Sequence, residues 1–133
     1  MIYLDTAALV KLVRVEAESQ ALVHWLNARA DQSLVASALV EVELPRALRR
    51  GQPGVLGGVA AVLGRLYRVE INAAVRATAA AYPDPSLRSL DAIHLATAEL
   101  LIASEQSITA FVTYDKRLAA AAAEIGLSVT APA

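Results

Sequence analysis

The amino-acid sequence predicts an open three-layer α/β/α sandwich with a mainly parallel sheet of four to five strands. Short, continuously apolar segments rich in strand-forming residues, such as 2–4 and 108–113, are separated by segments with helical spacing. Short apolar strands that alternate with helices are typical of a parallel sheet covered on both faces. The length of 133 residues fits a single domain over 1–133, because no repeat, linker or charge block marks a boundary.

The first half of the chain predicts two strands and three helices. In chain order these are a strand at 2–4, helices at 7–15 and 16–30, a strand at 34–36 and a helix at 39–50. Asp5 and Thr6 end the first strand, and the polar residues 31–33 break the second helix. The third helix ends near Gly51.

The second half continues the alternation. The predicted elements are a helix at 55–67, a strand at 68–71, helices at 73–82 and 89–104, a strand at 108–113, a helix at 116–125 and a strand at 127–129. Pro83 and Pro85 prevent the helix before them from continuing. Ser89 is the predicted N-cap of the longest helix, and Gly126 is the predicted C-cap of the last one.

The composition excludes several classes of protein. The chain has no cysteine, which removes disulfides, thiol catalysis and thiolate zinc sites. Its longest uncharged segment, 51–64, is far shorter than the roughly 20 residues that cross a bilayer, and no basic leader precedes the first strand. We therefore expect a cytoplasmic protein without a membrane segment. The net charge of −1 argues by itself against a nucleic-acid partner, because domains that bind nucleic acids are usually basic.

Acidic residues follow or adjoin the predicted strands. Asp5 directly follows the first strand, Asp115 lies two residues after the 108–113 strand, and Asp91 lies in the first turn of the helix before that strand. Glu43 lies on the helix after the second strand. Because ligands of open parallel sheets bind beyond the carboxyl ends of the strands, these acids form the candidate site.

Each acid also has a purely structural interpretation. The three aspartates lie where a carboxylate caps a helix or complements its dipole. Glu43 competes with Glu41, which lies about 200° away around the same helix, and helical spacing does not choose between them. The hydroxyl of Thr6 either supports Asp5 or simply begins a helix.

Taken together, the acids predict a metal site. Carboxylates gathered at one end of a sheet repel one another and raise each other's pKa unless a cation neutralises them. Oxygen ligands without cysteine, and with only two histidines in the chain, favour Mg²⁺ or Mn²⁺ over zinc. Such a site has the groups needed for metal-assisted hydrolysis of a phosphodiester.

Four segments carry a recognisable pattern, namely 2–9, 43–47, 90–98 and 112–118, of which the last two are the most specific in this order and spacing. Through them the chain resembles the PIN-domain ribonucleases, and more narrowly the VapC-type toxins of bacterial toxin–antitoxin pairs. The resemblance covers essentially the whole chain.

The resemblance implies a catalytic quartet that binds the divalent metal, consisting of Asp5, Glu43, Asp91 and Asp115. The choice of Glu43 over Glu41 rests on this resemblance alone. It also implies that the catalytic group includes Thr113, which helps to order a carboxylate or a metal-bound water. Many PIN domains have a further acid after the quartet, whereas Lys116 and Arg117 follow it here, which leaves fewer ligands for a second ion.

The function implied is that of a toxin that hydrolyses RNA phosphodiester bonds as an endoribonuclease dependent on Mg²⁺ or Mn²⁺. The resemblance further implies a homodimer, products with 5′-phosphate and 3′-hydroxyl ends, and a cognate antitoxin whose tail covers the acidic site. Two alternatives stay open: a housekeeping PIN-type nuclease for RNA processing, and a non-catalytic binding module of the PIN fold. A receiver-like module is disfavoured because no aspartate follows the predicted third strand.

Two further features bear on this function. His94 lies one helical turn after Asp91, where a structural role is favoured over that of a catalytic base. Five arginines and no acid lie between Leu44 and Val69, and they offer a surface for phosphates, an acidic partner or solvent: Arg46, Arg49, Arg50, Arg65 and Arg68. With the four acids screened by metal, the remaining charge is positive, so the net charge of −1 does not exclude RNA.

Overall fold

The computed structural model describes all 133 residues and contains five strands and seven α-helices. The strands are β1 (Ile2–Leu4), β2 (Leu34–Ser37), β3 (Leu66–Val69), β4 (Ala110–Val112) and β5 (Val129–Thr130). The helices are α1 (Thr6–Val13), α2 (Ser19–Asn27), α3 (Val40–Gly51), α4 (Val59–Leu63), α5 (Ala73–Ala81), α6 (Ser89–Ala103) and α7 (Lys116–Glu124). A 3-10 helix, Pro53–Gly58, precedes α4. None of the helices has the length and apolar character needed to cross a membrane.

All neighbouring strands pair in parallel, in the order β3-β2-β1-β4-β5. The chain builds the sheet outward from β1 to β3 and then crosses to the other side of β1 for β4 and β5. The strand order therefore reverses beside β1, and the loops that leave β1 and β4 diverge there. In such sheets the crevice at this switch point is where ligands bind.

The two faces of the sheet carry separate cores, which confirms the three-layer sandwich. Alternate residues of β1 point to opposite faces, so Ile2 and Leu4 pack with the core beneath α1 and α3, whereas Tyr3 packs with the core beneath α6 and α7. The ring of Tyr3 stacks on Phe111 of β4, with the ring centroids 4.9 Å apart. The central strand is thus buried on both sides, and it holds the residues that follow it in a fixed position.

The largest departure from the predicted elements lies in the middle of the chain. A single helix was predicted at 55–67, but the glycine-rich part forms the 3-10 helix and only Val59–Leu63 is α-helical. The third strand lies at Leu66–Val69 instead of 68–71, because Leu66 pairs with Leu34 and is buried. The helix predicted at 16–30 is also shorter, and it begins at Ser19.

The two predicted helix caps, Ser89 and Gly126, each lie one residue after the cap that the structure shows. Ser89 is not the N-cap of α6; that position is Arg88, which has extended backbone and makes no side-chain capping hydrogen bond. Gly126 follows α7 with a φ of +88°, one residue beyond the C-cap Ile125, and this left-handed conformation is the one that favours glycine.

Substitutions at the starts of α5 and α6 test which residues cap these two helices. The Asn72 side chain accepts a hydrogen bond from the Val75 backbone N–H at 2.9 Å, so Asn72→Ala is expected to lower the free energy of unfolding by about 1 kcal/mol. Ser89→Ala is expected to leave it unchanged, because Ser89 is not the N-cap and makes no capping hydrogen bond. Urea unfolding of the two variants measures both values. A larger loss for Ser89→Ala than for Asn72→Ala would contradict the assignment.

Candidate active site

The four predicted acids line one open cleft of about 600 Å³ at the switch point of the sheet. Asp5 directly follows β1 and Asp115 follows β4, while Glu43 on α3 and Asp91 on α6 reach the same cleft from the flanking helices. The parallel topology explains this gathering, because the carboxyl ends of neighbouring parallel strands meet at one edge of the sheet.

Asp5 is the most buried of the four, with 4% of its surface exposed. It is the N-cap of α1, where Oδ1 accepts a hydrogen bond from the Ala8 backbone N–H at 2.9 Å. Its Oδ2 accepts a hydrogen bond from the Thr113 hydroxyl at 2.5 Å. Burial raises the pKa of Asp5 above its ordinary value, although both hydrogen bonds oppose the shift. The capping role and the position in the cleft therefore belong to the same side chain.

Asp115 repeats this arrangement at the start of α7. Its Oδ1 accepts a hydrogen bond from the Leu118 backbone N–H at 2.9 Å, which makes it the N-cap of α7. Its own backbone N–H donates to the Thr113 hydroxyl oxygen at 3.1 Å. Thr113, which is buried, therefore links Asp115 to Asp5, because its hydroxyl accepts from one residue and donates to the other.

Arg88 joins Asp91 to Asp115, and sequence reasoning did not identify it as part of the site. Its Nε donates to Asp91 Oδ2 at 3.2 Å, and its Nη2 donates to Asp115 Oδ2 at 3.1 Å. Asp91 lies three residues after Arg88, a spacing that brings side chains together at a helix start. That spacing was available in the sequence, but the contact with Asp115 depends on the tertiary fold.

The structure places Glu43, and not Glu41, in the cleft. Glu41 is exposed and pairs with Arg68, with the charged atoms 3.5 Å apart. Glu43 Oε1 accepts hydrogen bonds from the Thr6 hydroxyl at 2.6 Å and from His94 Nε2 at 2.9 Å. Burial acts to raise the pKa of Glu43, but these two hydrogen bonds outweigh it and hold the pKa below its ordinary value. Thr6 thus supports Glu43, not Asp5.

The cations around the cleft differ from the predicted basic stretch. Of the five arginines between residues 44 and 69, only Arg50 lines the cleft. Lys11 and Arg14 of the α1 region line it as well, and both pair with Glu16, at 3.2 and 3.0 Å. Together with Arg88, they give the cleft four basic side chains beside its acidic ones.

The donor set fits a hard divalent cation by its chemistry, because it consists of carboxylate oxygens without thiolates. No group of three or more Asp, Glu or His side chains is arranged to hold a metal ion in this structure. Two of the acids are instead held by the Arg88 guanidinium. Metal binding would therefore need a different arrangement of Arg88 and of the two aspartates that it contacts.

Because its carboxylate is buried, the ionised Asp5 side chain is expected to lower the free energy of unfolding near neutral pH. Asp5→Asn keeps a capping oxygen and removes the ionisable group, so it is expected to raise the free energy of unfolding near neutral pH by about 1 kcal/mol. The pKa of Asp5 is raised in the folded state, so the wild-type protein gains stability as the pH falls through that value. The difference between variant and wild type should therefore shrink in acid.

Urea unfolding at neutral and at mildly acidic pH measures this difference, with Asp31→Asn, an exposed aspartate, as the matched control. A variant no more stable than the wild type at neutral pH, or a difference that grows as the pH falls, would contradict the expected cost of the buried carboxylate.

A doubly wound parallel sheet with four carboxylates in the cleft at its switch point defines an α/β protein with an acidic site. Known proteins share these features. Residues 2–124 match the family model of the PIN domain. The chain is 57% identical to ribonuclease VapC35 of Mycobacterium tuberculosis over 132 residues, which cover 99% of this chain and 97% of that protein. It is 39% identical to ribonuclease VapC46 of the same species over 98% of this chain and 97% of that one. The chain belongs to the PIN domain family and, within it, to the VapC ribonucleases.

Solved structures show the same fold at low sequence identity. VapC20 of Mycobacterium tuberculosis, described as a sarcin-ricin loop cleaving toxin, superposes with a TM-score of 0.74 at 17% identity, covering 99% of this chain and all of that one. VapBC2 from Rickettsia felis, bound to a DNA fragment from its promoter, gives a TM-score of 0.68 at 16% identity, with all of both chains covered. Both support the predicted sandwich.

Proposed function

We propose that this protein is an endoribonuclease that depends on Mg²⁺ or Mn²⁺ and acts as the toxin of a toxin–antitoxin pair. The observation that carries the proposal is the gathering of four carboxylates from four different elements in one cleft at the switch point. Structural needs alone do not explain it, because only two of the four cap a helix. The ribonuclease names of relatives 57% and 39% identical over nearly the whole chain support the same conclusion.

The quartet Asp5, Glu43, Asp91 and Asp115 would hold the divalent cation. When bound, such an ion polarises a phosphate oxygen and lowers the pKa of a water molecule so that it can attack phosphorus. Thr113 holds Asp5 and Asp115 in fixed positions relative to each other. Exposed Arg50, on the same face of α3 as Glu43, is placed to contact the RNA backbone at the mouth of the cleft.

We further propose that the protein forms a homodimer and is inhibited by a small cognate antitoxin. The structural relative from Rickettsia felis is a VapBC pair bound to promoter DNA, and a similar pair is expected here. The four basic side chains that line the cleft, together with its acids, offer both signs of charge to a protein partner. Growth arrest on expression of this chain, relieved by co-expression of its antitoxin, would distinguish the toxin from a housekeeping nuclease.

The decisive experiment is cleavage of RNA by the purified protein with and without divalent cations. We expect cleavage in Mg²⁺ or Mn²⁺ that leaves 5′-phosphate ends, complete loss of cleavage with excess chelator, and recovery when Mn²⁺ is restored. Sequencing of the RNA ends reports the activity and the cut position together. Cleavage that persists undiminished in chelator would refute the metal dependence, and a folded protein that cuts no cellular RNA with either ion would refute the nuclease.

A further inference from the structure

We propose that His94 is a positioning residue whose Nε2–H holds Glu43 in place and whose ring is held by Tyr3. The inference rests on the proposed function for its meaning, since Glu43 is one of the four acids of the cleft. Its geometry is independent of that function, because it consists of hydrogen bonds within the chain. His94 is buried, with 2% of its surface exposed, and both of its ring nitrogens have partners.

The Tyr3 hydroxyl holds one side of the His94 ring. The backbone N–H of Ser37, at the end of β2, donates to the Tyr3 hydroxyl oxygen at 3.1 Å. The same hydroxyl forms a hydrogen bond with His94 Nδ1, with the two atoms 2.8 Å apart.

The direction of the bond to Glu43 follows from a group that can only accept. The ionised carboxylate of Glu43 carries no hydrogen, so His94 Nε2, which lies 2.9 Å from Oε1, carries the hydrogen and donates it. The Tyr3 ring is held by its stack on Phe111 and meets the His94 ring edge-on, with the centroids 5.9 Å apart. The side chains that connect Ser37 to Glu43 are therefore held by packing as well as by hydrogen bonds.

The two carboxylate oxygens of Glu43 differ in the hydrogen bonds that they accept. Oε1 accepts hydrogen bonds from both Thr6 and His94, whereas no hydrogen bond from the chain reaches Oε2. Outer groups that orient a carboxylate in this way fix its position for a ligand. We therefore assign Oε2 as the oxygen that Glu43 presents to a cation.

The same network separates His94 from the substrate. Both ring nitrogens already have partners within the chain, Nδ1 in Tyr3 and Nε2 in Glu43, and the ring is buried. His94 therefore acts through Glu43 and not on the substrate.

The first test detects the hydrogen on His94 Nε2 directly and needs neither metal nor RNA. The chain has only two histidines, so ¹⁵N labelling of histidine gives two rings to assign, and the exposed His24 serves as the internal reference. We expect a hydrogen on His94 Nε2, and we expect Tyr3→Phe to shift the His94 ring resonances while those of His24 stay as in the wild type. A His94 ring without a hydrogen on Nε2 would overturn the proposal.

The second test measures Mn²⁺ affinity by calorimetry. His94→Leu removes the donor and should weaken Mn²⁺ binding about 10- to 100-fold, whereas His94→Gln retains an N–H donor and should restore most of it. Thr6→Val, which removes the other donor to Oε1, should weaken binding as well. His24→Leu is the matched control and should bind as the wild type does.

The two tests separate failure of this inference from failure of the proposed function. Wild-type affinity in folded His94→Leu would overturn the positioning role and leave the nuclease intact. A wild-type protein that neither binds Mn²⁺ nor cleaves RNA would refute the proposed function, while the hydrogen on His94 Nε2 would still be decided by its spectrum. If His94→Leu does not fold, the spectra of the wild type and of Tyr3→Phe, with the affinity of Thr6→Val, decide the inference.

Discussion

Asp5→Asn and Asp91→Asn are each expected to reduce RNA cleavage by about a thousandfold or more, because loss of a charged ligand removes several kcal/mol of transition-state stabilisation. Both substitutions preserve the size of the side chain, and Asn at position 5 can still cap α1. The loss should therefore appear in the rate of cleavage and not in the fold. The measurement is the rate of cleavage of a labelled RNA in Mn²⁺, with growth inhibition on expression as a second readout.

Glu41→Gln is the matched control for this experiment. Glu41 lies on the same helix as Glu43, but it is exposed and pairs with Arg68 outside the cleft. Its substitution should leave cleavage at the wild-type rate. Undiminished, metal-dependent cleavage by both aspartate variants would remove the acidic cleft from the mechanism altogether.

Thr113→Val is expected to weaken Mn²⁺ binding and cleavage about 10- to 100-fold. The substitution is nearly isosteric, but it removes the hydroxyl that donates to Asp5 at 2.5 Å and accepts from the Asp115 backbone at 3.1 Å. Both aspartates lose a contact that fixes them, and the partly buried backbone N–H of Asp115 loses its acceptor. Calorimetry with Mn²⁺ and the cleavage rate report the two effects separately.

Thr113→Ser should recover most of both properties, since serine keeps the hydroxyl. Thr78→Val, on α5 and remote from the cleft, controls for the exchange of a hydroxyl for a methyl group. Equal Mn²⁺ affinity in Thr113→Val and wild type would show that the hydroxyl does not organise the acids.

The sequence was sufficient to predict the sandwich and the positions of the acids relative to the strands. Buried parallel strands are continuously apolar, so β1, β2 and β4 stand out from the helices that separate them. Asp5 and Asp115 follow two of these strands, and the geometry of parallel sheets then brings them to one edge. The catalytic roles of the acids stay predictions, and the variants above test them.

What the sequence could not predict depends on contacts between distant residues. Arg88 contacts Asp115, 27 positions away, and Tyr3 contacts His94, 91 positions away, and no local pattern records either pair. The choice between Glu41 and Glu43 needed the rotation of α3 about its axis, which helical spacing left open. Ser89 was a plausible cap by residue type, but the α6 backbone begins at Arg88.

The mixed lining of the cleft has a consequence for the way in which RNA and a cation bind. The acids at its centre repel a phosphate, while Arg50, Lys11 and Arg14 attract one. Under the proposed function, a cation bound by the acids would remove this repulsion. RNA and the cation are then expected to bind cooperatively, each raising the affinity of the cleft for the other.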